Sequence, residues 1–130
     1  MSILVDSSVW IEYFRGSNDS GAMDFLIDEN LLVTNDLILA ELIPVLHVRR
    51  HRKLIGLMRE VKKTPMTLDW DELIQMQLVC LRNGVNKVGL SDLMIAQHAV
   101  HNNLTLYSRD KHFSLIAKHL HLKLYNQSGT

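Results

Sequence analysis

Short apolar runs alternate along the chain with stretches in which apolar residues recur every three or four positions, the patterns of buried strands and of helices packed on them. "ILVD" (residues 3–6) reads as the first strand, and Ser7 or Ser8 can cap a helix carrying Val9, Trp10, Tyr13 and Phe14, ended by Gly16. "SGAMDFLIDEN" predicts a second helix, "LLVTN" a second strand, and Asp36 opens a third helix, "DLILAELIPVL", which Pro44 should bend or end. The segment "HVRRHRKLIGLMREVKK" is predicted to be helical, and "PMTLD" has the alternation of a strand. "DWDELIQMQLVCLRNG" begins on acids and stops at Gly84 as a helix should. Then follow the helix "SDLMIAQHAV", with Ser91 as its cap and Asn102–Asn103 closing it, the strand "LTLYS", the helix "DKHFSLIAKHL" and a last strand "LKLYN". Strands that alternate with helices imply an α/β three-layer sandwich around a mainly parallel sheet. No repeat, linker or low-complexity tract divides residues 1–130, so a single domain is expected.

In such folds the functional site lies beyond the carboxyl ends of the strands. Asp6 ends the first strand, Asp92 sits in the first turn of the helix before "LTLYS", and Asp110 follows that strand. Glu41 lies in "LILAELI" with Leu37, Ile38, Leu42 and Val45 around it and no cation one turn away. Each acid alone has a plain structural reading as a strand end, a helix start or a helix rim. Together they form a set of carboxylates predicted to share one rim, which repel one another unless a cation compensates. Hard oxygen ligands without cysteine or clustered histidine suit Mg²⁺ or Mn²⁺, and such ions promote phosphodiester hydrolysis.

Charge sharpens this picture. The 130 residues carry no net charge, yet residues 1–46 hold eight acids and one base, and residues 47–63 hold seven bases and one acid. An acidic metal site cannot itself attract a polyanion, so Arg49, Arg50, Arg52 and Lys53 are candidate RNA-binding residues. The plain alternatives are a solvated helix face there and an acidic first third that docks a protein partner. Cys80 is the single cysteine and falls among apolar residues, which excludes a disulfide framework. No apolar run is long enough for a membrane span and the first residues lack a signal-peptide pattern, so a soluble, cytoplasmic protein is expected.

The residues resemble a family at four places. "LVDSSVWIEYFRG" is similar to the opening of PIN domains, especially the VapC toxins of bacterial toxin–antitoxin pairs, and "LILAEL", "GLSDLMIAQHA" and "LYSRDKHF" are similar to their later acidic motifs. The resemblance implies a PIN-like parallel sheet, Mg²⁺-dependent endoribonuclease activity, and silencing by a cognate VapB-type antitoxin, with a homodimer common among such toxins. It places Asp6, Glu41, Asp92 and Asp110 as metal-binding and catalytic acids, with Ser7 and Ser108 positioning a carboxylate, water or phosphate. This chain has His112 where many relatives carry a second acid, which implies a weaker fourth position. Three other readings have less support. A phosphotransferase of the haloacid-dehalogenase type needs an acid where Ser8 stands. A zinc hydrolase could use His47 with His51, or His98 with His101, but has no HExxH glutamate. A non-catalytic PIN-like module would hold RNA or a partner without turnover.

Overall fold

The computed structural model describes residues 1–16 and 20–125. Strand β1 (Ile3–Val5) passes through Asp6, which caps helix α1 (Ser7–Phe14), and Gly16, at φ +71°, takes the left-handed turn that ends it. Helix α2 (Gly21–Asp28) and strand β2 (Leu32–Val33) follow, then α3 (Asp36–Val48). Asn35 caps α3: its side-chain oxygen accepts from the Ile38 N–H at 2.8 Å. Pro44 neither ends α3 nor prevents four more residues of helix. Both Pro44 and Ala40, whose carbonyl loses its partner, are on the exposed face, where water can replace the bond.

The basic segment is not one helix. The chain reverses at residues 49–51, with Arg50 at φ +59° and the His51 N–H returning to the Leu46 carbonyl at 2.9 Å, before α4 (Arg52–Glu60) begins. "PMTLD" is not a strand either. Thr64, Met66 and Leu68 alternate as half-buried positions, but only Lys63, just before them, forms a bridge, to Thr34. The partner segment turns into α3 at Asp36, so the ladder goes no further. Gln97 holds this segment instead, accepting from the Asp69 N–H at 3.2 Å and donating to the Asp69 carbonyl at 3.0 Å and to Glu72 at 2.8 Å.

Helices α5 (Trp70–Arg82) and α6 (Leu90–His101) lead to β3 (Thr105–Tyr107), α7 (Lys111–His119) and β4 (Lys123–Leu124). The cap of α6 is Gly89 rather than Ser91, because the Asp92 carboxylate reaches back to the Gly89 N–H and starts the helix earlier. Asn126, at the end of the expected last strand, lies outside the described residues.

The four strands form a wholly parallel sheet in the order β2-β1-β3-β4. Alternation along the strands divides the core. Leu4, Val33 and Leu106 face α5, α6 and α7, whereas Ile3, Val5 and Tyr107 face α1, α2 and α4. Helix α3 contributes Ile38 to the first core and Leu42 and Leu46 to the second. The result is the three-layer α/β sandwich that the sequence pattern implies. Because β1 has β2 on one side and β3 on the other, the chain changes direction between β1 and β3, and a crevice opens beyond their carboxyl ends.

Leu106 is fully buried in the central sheet, so Leu106→Ala should lower unfolding stability by about 2–5 kcal/mol. Leu81, 53% exposed, should cost less than about 1 kcal/mol when truncated. Urea unfolding of the two variants measures the difference; equal losses would contradict this division of the core.

Candidate functional site

The crevice beyond β1 and β3 is built first from Asp6. Its N–H donates to the Tyr107 carbonyl at 2.9 Å, which locks the two strand ends together. Its carboxylate, on a residue only 6% exposed, accepts from the Ser8 hydroxyl at 2.8 Å and from the Ser108 hydroxyl at 2.9 Å. Each hydroxyl also accepts a backbone N–H, from Arg109 to Ser8 at 3.1 Å and from Asp110 to Ser108 at 3.0 Å. The carboxylate oxygen accepts, so each hydroxyl proton is directed at Asp6. The α1 serine that reaches Asp6 is Ser8, two residues on, rather than Ser7. The first turn of α1 swings position 8 back over its own N-cap.

Glu41 comes from the middle of α3 and is exposed, although its sequence neighbours are apolar. Leu42 and Ile38 point into the cores and Glu41 points to the crevice. Its pKa is nonetheless raised, first by partial removal from water and then by the negative charges of Asp6 and Asp92. Asp92 is raised as well, by desolvation and by Asp110; the Gly89 N–H and His112 partly offset this. Thus Glu41 senses Asp6 and Asp92, and Asp92 senses Asp110: the four acids from β1, α3, α6 and α7 are electrostatic neighbours.

Asp110 caps α7, with its Oδ1 accepting from the His112 N–H at 2.9 Å. His112 lies between two acids, its Nδ1 3.4 Å from Asp92 Oδ2 and 3.4 Å from Asp110 Oδ1. That nitrogen is buried and makes no hydrogen bond within the usual limits. Ligand atoms of Asp92, Asp110 and His112 all lie within 4.8 Å of one another, close enough to hold one ion. The donor set of carboxylates with one imidazole fits a hard or borderline divalent cation such as Mg²⁺ or Mn²⁺. His112 therefore stands inside the cluster as a further potential ligand, a role that its difference from an acid concealed in the sequence.

Among the described residues, neither His47 with His51 nor His98 with His101 joins a cluster of three potential ligands. His98 is buried against Asn35, and His101 pairs with Glu72 at 2.8 Å. The basic residues stand apart from the acids. Arg49 and His51 share the wall of a small cavity with Arg15 at the carboxyl end of α1, whereas Asp6 caps its amino end; the eight-residue helix spans about 12 Å. Arg50 and Arg52 line a neighbouring hollow, and among the described residues no ion pair engages Arg49, Arg50, Arg52 or Lys53. Two other bases are already committed: Lys63 pairs with Asp36 at 2.9 Å, and Arg109 with Glu12 at 3.2 Å while lying over the Tyr107 ring. An apolar cavity of about 500 Å³ between α1 and α4, lined by Trp10, Phe14, Leu54 and Met58 among others, includes none of the four site acids.

No curated protein matches the sequence. Among solved structures the fold is similar to that in VapBC2 from Rickettsia felis bound to a DNA fragment from their promoter. The TM-score is 0.77 at 18% identity, over 97% of this chain and 98% of that one. FitAcB from Neisseria gonorrhoeae gives 0.68 at 22% identity, over 98% and 99% of the two chains. VapC20 from Mycobacterium tuberculosis, described as a sarcin-ricin loop cleaving toxin, gives 0.64 at 20% identity, over 93% and 98%. The family model of the PIN domain matches residues 3–119. With that match covering β1 to β3, the crevice and all four acids, the chain belongs to the PIN domain family.

Proposed function

We propose that this chain is a metal-dependent endoribonuclease, a single PIN-like nuclease domain that acts as the toxin of a toxin–antitoxin pair. The observation that carries the reading is the convergence of Asp6, Glu41, Asp92 and Asp110 on the crevice between β1 and β3, with Asp92, Asp110 and His112 close enough to share an ion. The structural neighbours include VapBC complexes and one toxin described as cleaving RNA, which favours RNA as substrate and a VapB-type antitoxin as partner. Homodimer formation and a cytoplasmic setting belong to the same reading. Among the described residues, no helix is long and apolar enough to cross a membrane.

A bound Mg²⁺ or Mn²⁺ would supply activation of a water and neutralisation of phosphate charge. Asp6 and Asp92 are the main ligands in this reading, with Glu41 completing the pocket directly or through water. Asp110 is a weaker contributor, because its Oδ1 already caps α7. Ser8 and Ser108 hold the Asp6 carboxylate in one orientation, a restraint that favours ligand over freely rotating acid. Ser7, at the amino end of α1, is left as a candidate to position phosphate. Arg49, Arg50, Arg52 and Lys53 would track the RNA backbone along α1, away from the cleavage point.

Asp6→Asn and Asp92→Asn should each reduce RNA cleavage by about two orders of magnitude or more while preserving the fold. Glu41→Gln should be nearly as damaging, and Asp110→Asn should retain activity that excess Mn²⁺ increases. Cleavage of labelled RNA, with circular dichroism as the control for folding, measures this series. Full activity in the Asp6 or Asp92 variant would exclude the proposed centre. RNA binding without cutting in any divalent metal would instead favour a non-catalytic module.

The basic segment makes a separate prediction. Replacing two of Arg49, Arg50, Arg52 and Lys53 by alanine should weaken RNA binding and reduce its salt dependence by about 0.7 in log–log slope for each phosphate no longer neutralised. Filter binding at several salt concentrations reads the slope. An unchanged slope with intact cleavage would return these residues to a solvated surface.

A further inference from the structure

Four polar side chains outside the acid cluster are almost fully buried: Thr34, Asn35, Gln97 and His98. Gln97 is accounted for by the segment it pins to α6. Asn35 and His98 meet between α3 and α6, with 2.7 Å between Asn35 Nδ2 and His98 Nδ1. Because Asn35 Oδ1 accepts from the Ile38 N–H, its amide group must turn its NH₂ toward His98. An NH₂ only donates, so His98 Nδ1 is the acceptor and the ring is neutral with its proton on Nε2. Burial, with His101 nearby, holds the His98 pKa below the usual range, in keeping with a neutral ring. Nε2 itself is buried and without a partner, a cost that an apolar side chain would avoid. A histidine is thus kept here for its other nitrogen.

That nitrogen ties together the two helices that carry Glu41 and Asp92. Helix α3 packs chiefly on α1 and α4, and α6 on α5 and α7. Asn35 precedes Glu41 by six residues and His98 follows Asp92 by six, so each arm from the bond to its carboxylate is about 9 Å of helix. At the far ends of these arms the two carboxylates lie close enough for Asp92 to raise the Glu41 pKa. We infer that the Asn35–His98 hydrogen bond is a positioning device that sets the separation of Glu41 and Asp92 and so the affinity of the crevice for a divalent cation. The inference rests on the proposed cation-binding role of the acids.

The test is Mn²⁺ titration of the metal-free full chain, with thermal melting of the same samples. His98→Leu removes the acceptor. His98→Asn restores one, since its Oδ1 stands the same number of bonds from the backbone as the lost Nδ1. Asn35→Ser keeps a cap on α3 and removes the donating amide. His98→Leu and Asn35→Ser should each weaken Mn²⁺ binding by about tenfold, and His98→Asn should stay close to the wild-type affinity. The melting temperature of His98→Leu should change little, because the variant removes one unpaired buried group as it orphans another. Wild-type Mn²⁺ affinity in either bond-breaking variant that melts like the parent would overturn the inference. So would an equal loss in His98→Asn and His98→Leu, which would assign the effect to the ring rather than the bond. Absence of Mn²⁺ binding by the wild-type chain would overturn the cation-site reading as well, which separates the two failures.

Discussion

Repulsion among carboxylates at one edge of a parallel sheet is the constraint on which the remaining features of the site depend. Folding brings Asp6, Glu41, Asp92 and Asp110 from four separate elements into one crevice, and the raised pKa values of Glu41 and Asp92 register the cost, first of their partial removal from water and then of the neighbouring negative charges. A carboxyl whose folded pKa exceeds its unfolded value stabilises the fold below the unfolded pKa, and that contribution is lost as pH rises through the folded pKa. Above the folded pKa values the cation-free fold carries this cost in full. The polar groups nearby all act to hold the charges in place: two serine hydroxyls on Asp6, a backbone N–H on Asp92, and the His112 ring between Asp92 and Asp110. Such an arrangement is poorly suited to stability alone and well suited to a divalent cation.

The topology explains why these residues can meet. With β1 between β2 and β3, the residues that follow β1 and β3 face one another across the point where the chain changes direction. Asp6 and the Ser108–Asp110 turn use that position directly, while α3 and α6 bring Glu41 and Asp92 over it from the flanking layers. The buried Asn35–His98 contact adds a directional tie between those two helices to the apolar packing of Ile38 in the core that α6 also lines.

Much of this was legible in the sequence, because strand ends and helix starts follow from local rules. The run "ILVD" placed Asp6 at a strand terminus and the apolar spacing after Asp92 placed it in a first turn. What local rules could not supply was direction and long-range contact. Glu41 has apolar sequence neighbours, yet it is exposed, because about 100° per residue sets it at the edge of the face that buries Ile38 and Leu42, near Asp6 and Asp92. Ser8 and Ser108, a hundred residues apart, both donate to the Asp6 carboxylate, a convergence that no local pattern carries. "PMTLD" has a strand's alternation without a strand to pair with, and only the structure shows Gln97 taking the ladder's place.

If a divalent cation relieves the repulsion among the four acids, its effect should be visible in the melting temperature of the cation-free protein. The comparison is between the wild-type chain and an Asp6→Asn/Asp92→Asn double variant, each with and without millimolar Mg²⁺. Ligand binding to the folded state alone raises the melting temperature by mass action, so the wild-type protein should gain several degrees and the double variant almost none. An equal shift in the two proteins would overturn the cation's role here, because the ion would then be binding somewhere other than this crevice.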